Sequence, residues 1–380
     1  MVSYLFSSVV GQTITFSPAA DVLNIGAAAS AISAVQSGSN VVITVAGVGS
    51  VTLANTTLGQ LTSTNIDDIT SGTFIVGDNT TDDALDNLAQ GAINGTVGGD
   101  VLFGMGGADT FNANTGNDVI YGGTGVSDST DGADTINTGG GADTVYGNAG
   151  GDTINVGATA SGEAAVVYGG LGNDVVNGAT AASSGTLFAD LGADNDSITF
   201  TAAVAAGSTV IGGSGTDTIN LTNNTGDATV WGGASLSDST DGADTITQGA
   251  GNAQIYANAG ADTVNLVGKT GGSTYVHGGL GADTITDAAS VAVGVFTLAG
   301  GQGADAITLG DAGITAATVY GGNGLSDSTD GADTITVAAT AALDTASIFG
   351  NAGADTITYT SAGDSGNAVT INGGLDNDIV

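Results

Sequence analysis

Tyr168-Gly169-Gly170-Leu171-Gly172-Asn173-Asp174-Val175-Val176 reads as strand, turn, strand. Two adjacent glycines permit the positive-φ backbone that a tight turn needs, and a third keeps the turn clear of side chains. The closing aspartate is an oxygen ligand, and the β-branched pair after it starts the next strand. The same frame returns as Gly212-Gly213-Ser214-Gly215-Thr216-Asp217, Gly278-Gly279-Leu280-Gly281-Ala282-Asp283 and Gly300-Gly301-Gln302-Gly303-Ala304-Asp305. Recurrence at this fidelity marks a repeat architecture.

These copies resemble the glycine- and aspartate-rich nonapeptide of the hemolysin-type calcium-binding (RTX) family, and the likeness runs from about Gly95 to Val380. The resemblance implies an all-β fold, a right-handed parallel β-solenoid (calcium β-roll), with Ca2+ lying between consecutive turns. It also implies export by type I secretion, a route that uses an uncleaved C-terminal signal; no such signal is identifiable in the sequence. Toxins, proteases, lipases, adhesins and surface-layer proteins all carry this module, so the likeness implies no single activity.

Composition narrows the partners. The net charge is -37, with Glu163 the only glutamate and Lys269 the only basic residue besides His277. Nothing here could neutralise phosphates, which excludes nucleic acid and disfavours anionic membrane surfaces. No apolar run approaches the ~20 residues of a spanning helix, so no membrane insertion is expected. Without cysteine, neither disulfides nor a thiolate metal site can hold the fold. Hydrophobic residues make up 41% and recur on a pattern, which argues for a folded chain whenever calcium is present. Met1-Val2-Ser3-Tyr4-Leu5-Phe6 lacks a basic region and a sustained apolar run, so it is not read as a Sec signal.

Two domains are expected: a small β domain over 1–80, serving as cap, anchor or assembly contact, and a calcium-binding solenoid over 81–380. In the first, Ile14 and Phe16 alternate with threonines, Val41-Val42-Ile43-Thr44-Val45 is a β run, and Val51 and Leu53 alternate again. Leu58 and Leu61 suggest one helical turn. The stretch from Asp82 to Gly91 reads as a short helix or a degenerate first rung.

Asp100, Asp109 and Asp118 lie nine residues apart (109-100, 118-109), as do Asp134, Asp143 and Asp152. Successive turns then fall on alternate edges of a flattened coil, Asp100 and Asp118 on one and Asp109 on the other. Beyond Asp152 the interval widens to about a full coil, as in 305-283 = 22, which leaves one aspartate edge. A longer period lies over this one: Tyr121 to Asp134 returns nearly intact at Trp231 to Asp244 and at Tyr320 to Asp333.

Stacked turns are ~4.8 Å apart, so a column of aspartates repels itself unless a hard cation bridges it. By the resemblance, the closing aspartate of each turn is the ligand: Asp100, Asp109, Asp118, Asp134, Asp143, Asp152, Asp174, Asp194, Asp217, Asp244, Asp262, Asp283, Asp305, Asp333, Asp355 and Asp378. Some turns depart from the pattern. Ala113-Asn114 and Ala257-Asn258 replace leading glycines, Asp376 replaces a third glycine, and Asp194 competes with Asp196. In the long turns Asp128 and Asp131 with Asp134, and likewise Asp238, Asp241, Asp327 and Asp330, are candidates for extra sites, with a solvated loop as the competing reading. His277 has no second His or Cys for zinc and reads as a strand residue. No nucleophile elbow or His-Glu-x-x-His occurs, so the chain is not read as an enzyme.

The sequence thus points to an extracellular, cell-surface calcium-binding structural protein that self-assembles into a bacterial surface layer, filament or matrix. Surface glycan or lipopolysaccharide is the candidate anchor. Two alternatives stand beside it: the repeat region of a secreted enzyme or toxin, and an adhesin or ice-binding protein built on outward Thr-x-Thr pairs such as Thr334 and Thr336. The pattern stops at Asp378-Ile379-Val380, where an open rung would need a longer chain or a neighbouring copy.

Overall fold

Thr135-Ile136-Asn137 and Thr153-Ile154-Asn155 show how the coils are built, because a strand's side chains alternate faces and only every second one is apolar. Ile136, Ile154 and Val176 are fully buried and stack in register across parallel strands. The outward asparagines make a file of their own: Asn112 donates to Asn94, Asn137 to Asn112, Asn155 to Asn137 and Asn177 to Asn155, at 2.8 to 3.0 Å. The computed structural model describes residues 1–62, 65–76, 92–178, 183–235, 238–267, 270–287, 293–310, 313–324, 327–339, 345–361 and 368–380.

The chain divides into two compact units, Met1–Gly185 and Thr186–Val380, and both contain parallel β-solenoid coils. In the first, Val101–Phe103, Val119–Tyr121, Thr144–Ala149 and Ala164–Leu171 form one face, and Thr110–Asn112, Thr135–Asn137, Thr153–Asn155 and Val175–Gly178 the other. The chain crosses from face to face at every turn. Phe103, Tyr121, Tyr146 and Tyr168 stack along the first face, with centroids 4.6 to 5.1 Å apart. The second unit repeats the plan, for example with Thr270–Leu280, Val293–Gln302 and Gly313–Tyr320 opposite Thr284–Asp287, Ala306–Leu309 and Thr334–Ala339. Val276, Leu298 and Val319 from one face and Ile285, Ile307 and Ile335 from the other fill its core.

The N-terminal stretch is β as well, but folded differently. Thr13–Thr15, Gly49–Ala54, Asn40–Val45 and Ile32–Ser37 make a mixed sheet, beside a parallel one of Ser3–Leu5, Val22–Ala27 and Ile66–Ile69. Leu58–Gln60 is a 3-10 turn held by a capping box between Thr57 and Gln60, and it buries Leu58 beside Leu61. Its core is continuous with Phe74, Val101 and Phe103, so this stretch packs directly on the first coil. The helix-or-rung reading of 82–91, and Lys269, lie outside the described residues. Among those described, no helix is long and apolar enough to cross a membrane.

Candidate metal centre

Beyond the first rung of each ladder, the aspartate that closes a glycine turn accepts, at Oδ1, the backbone N–H of the equivalent aspartate one coil earlier. In the second unit these bonds run from Asp196 N to Asp217, and then through Asp244, Asp262, Asp283, Asp305, Asp333 and Asp355 to Asp378, at 2.7 to 3.1 Å. In the first unit two such ladders run on opposite edges. One joins Asp109, Asp134, Asp152 and Asp174, the other Asp100, Asp118 and Asp143. The nine-residue spacing thus puts Asp100 and Asp118 on one edge and Asp109 on the other, as read from the sequence.

Oδ1 is therefore used by the backbone, and Oδ2 is what remains. It is buried without a hydrogen-bond partner in Asp118, Asp134, Asp152, Asp217, Asp244, Asp262, Asp283, Asp305, Asp333 and Asp355. Each of these side chains is 2% exposed or less. The glycine at the head of the turn leaves room for that oxygen. A Cβ on Gly300 would overlap both Asp305 Oδ2 and the carbonyl oxygen of Gly321 in the next coil, and Gly122, Gly147, Gly212, Gly278, Gly321 and Gly350 repeat the arrangement. A carboxylate oxygen and a carbonyl oxygen thus converge on a space that any side chain would fill, and these are the donors a hard divalent cation takes.

Electrostatics points the same way. Burial pushes the carboxyl of Asp134 up to about 8, Asp152 to about 9, Asp262 to about 8 and Asp305 to about 7, with neighbouring aspartates adding to the rise. Asp244 and Asp333 are raised for the same reasons. Two ionised carboxylates ~4.8 Å apart repel by roughly 3 to 4 kcal/mol at an effective dielectric near 20. Two fully buried aliphatic side chains per coil contribute roughly 3 to 6 kcal/mol, so the charge column offsets most of what the core gains. Cations placed along the column remove that conflict.

Several expected ligands sit elsewhere. Asp194 is exposed with φ +80, in the left-handed slot of its turn, and Asp196, 3% exposed, holds the ladder place. Asp100 ends its ladder with both oxygens taken: Oδ1 by the N–H and hydroxyl of Thr73, Oδ2 by the N–H of Thr96. Asp128, Asp238 and Asp327 accept hydrogen bonds within their own long turns. Asp128 accepts from the N–H and hydroxyl groups of Thr124 and Thr130, Asp238 from Ala234 and Thr240, and Asp327 from Asn323 and Thr329. Asp131, Asp241 and Asp330 instead keep a buried Oδ2 without a partner. Ala257 is fully buried at the head of the Asp262 turn, so its methyl stands where glycine elsewhere leaves space. Asn114, Asn148, Asn258 and Asn351 replace the second glycine at φ +74 to +80, a conformation asparagine tolerates. His277 lies on strand Thr270–Leu280, where burial lowers its pKa. Asp287, 1% exposed and inward-facing at the end of its strand, was not signalled by any spacing.

The RTX calcium-binding nonapeptide repeat family matches the chain in four copies, at residues 94–126, 128–160, 166–180 and 238–266. The chain carries RTX calcium-binding nonapeptide repeats. No curated protein matches it. The RTX repeats are calcium-binding units, and the matched segments include both ladders of the first unit and the Asp244 and Asp262 turns of the second. Coils built on Asp283, Asp305, Asp333 and Asp355 continue the same bonds beyond them.

Proposed function

We propose that the ladder aspartates, Asp196 included, are the calcium ligands of a secreted protein that folds outside the cell and serves as a unit of a bacterial surface layer, filament or matrix. One observation carries this reading: columns of buried carboxylates with an oxygen left over in ten of their turns, in a chain of net charge -37. Low calcium inside the cell keeps such a chain unfolded and exportable, and calcium of roughly 10⁻⁴ to 10⁻³ M outside folds it. A second copy of the chain is the proposed partner, with surface glycan or lipopolysaccharide as the anchor. Light scattering of the purified protein in millimolar calcium is expected to reveal large assemblies, and a labelled antibody should outline producing cells. A protein that stays monomeric and is absent from the cell surface would overturn the structural reading.

An adhesive or ice-binding surface is the second reading, favoured by files of outward threonines in the second unit. Thr334 pairs with Thr356 and Thr336 with Thr358, after Thr245, Thr263 and Thr284 in the same sheet. Thermal hysteresis in the calcium-loaded protein distinguishes it.

A further inference from the structure

The third long turn carries a carboxylate that the nonapeptide does not call for. Asp330 folds back onto the preceding coil, where its Oδ1 accepts the N–H of Gly303 at 3.2 Å and that of its own neighbour Gly331 at 2.8 Å. Asp333 Oδ1 is held by the N–H of Asp305, and Asp305 Oδ1 by that of Asp283, both within 2.8 Å. Three carboxylates are thus fixed through one oxygen each. All three second oxygens are buried without a hydrogen-bond partner. The groups offer three oxygens within 4.8 Å of one another, and Asp305 and Asp333 are 2% and 1% exposed. Two consecutive glycines make the space, since a Cβ on Gly321 would overlap Asp333 Oδ2 and one on Gly322 would overlap Asp330 Oδ2.

We propose that Asp305, Asp330 and Asp333 hold a hard cation, calcium or a lanthanide in its place, in a three-carboxylate site that adds Asp330 to the ladder's own pair of Asp305 and Asp333. The sequence pairs Asp330 with Asp327 in one loop; the fold replaces Asp327 with Asp305 from the coil before. Calcium affinity rises with the number of charged ligands, so this site fills before the ladder does. Asp131 and Asp241 hold the equivalent places in the other long turns, and Asp241 is likewise anchored by Gly215 and Gly242. Among the described residues the third turn alone gathers three such oxygens so closely.

The inference shares Asp305 and Asp333 with the ladder reading, and the test separates them. Calcium binding to the full chain is measured by equilibrium dialysis from micromolar to millimolar free ion, with terbium luminescence as a second readout. Asp330→Asn keeps the Oδ1 contacts and the turn, and should remove one ion from the tightest class, or weaken that site at least tenfold, while the weaker ladder class stays. Gly322→Ala, which fills the space from the other side, should do the same. Asp327→Asn should leave the count unchanged. Loss of one tight ion in a chain that binds no others would uphold the triad and sink the ladder. Unchanged tight binding in both Asp330→Asn and Gly322→Ala would overturn the triad and leave the ladder standing.

Discussion

Gly300 shows how narrowly a single residue controls the site. Its φ is not in the left-handed region, so alanine is not excluded by the backbone, yet the methyl would meet Asp305 Oδ2 and the Gly321 carbonyl oxygen at once. Overpacking of that kind costs about 1 to 3 kcal/mol, and here it also occupies the space of the cation. Gly300→Ala should therefore lower the calcium stoichiometry and raise the calcium needed to fold. Gly140→Ala is the control, because its added Cβ would meet nothing nearer than 3.6 Å. That change should stay within about 0.5 kcal/mol. Equal calcium isotherms for the two variants would mean that the glycine space holds no ion.

At the scale of the element, a ladder of raised carboxyls has a defined pH signature. An unfolded aspartate titrates near ~3.9, whereas Asp134, Asp152, Asp262 and Asp305 are held at about 7 to 9 in the fold. The folded value lies above the unfolded one, so without metal these groups favour the fold fully below ~3.9 and lose that contribution as pH rises through their folded values. In EDTA, circular dichroism should show more strand at about pH 4 than at about pH 8. Protons and calcium substitute for one another on these oxygens, so the free calcium at half-folding should rise between about pH 6 and about pH 8, as the protonated fold loses its own stability. A calcium midpoint that falls across that window would separate the raised carboxyls from metal binding. The ladders themselves were legible in the sequence, because a nine- or twenty-two-residue interval between glycine turns fixes which aspartates stack. The long turns were not. Whether Asp327 or Asp330 turns inward depends on donors such as Thr329 and Gly303, and Gly303 belongs to another coil. Asp194 and Asp196 were ambiguous because each follows a plausible turn, and only the register of Ser197–Phe200 against Thr218–Asn220 decides for Asp196.

Across the whole molecule, calcium dependence should be uneven. The N-terminal stretch rests on an ordinary apolar core of Phe6, Leu23, Ile43, Leu53, Leu58 and Leu61, each 1% exposed or less. Its buried Asp21 accepts the N–H groups of Val2 and Ser17, which lower its pKa, and stands in no column of like charges. The coils around Ile285, Ile307 and Ile335 balance a comparable apolar core against Asp283, Asp305 and Asp333 stacked alongside. With net charge -37 and no disulfide, removing calcium restores the full repulsion. Hydrogen exchange in EDTA should then leave the amides of Val41 and Ile43 protected. Exchange at Ile285, Ile307 and Ile335 should speed up by ~100-fold or more, and added calcium should restore the protection. Uniform loss along the chain would mean that the N-terminal core depends on the coils for its own fold. Uniform protection would mean that the aspartate ladders are stable without metal, and would remove the physical basis for calcium-triggered folding.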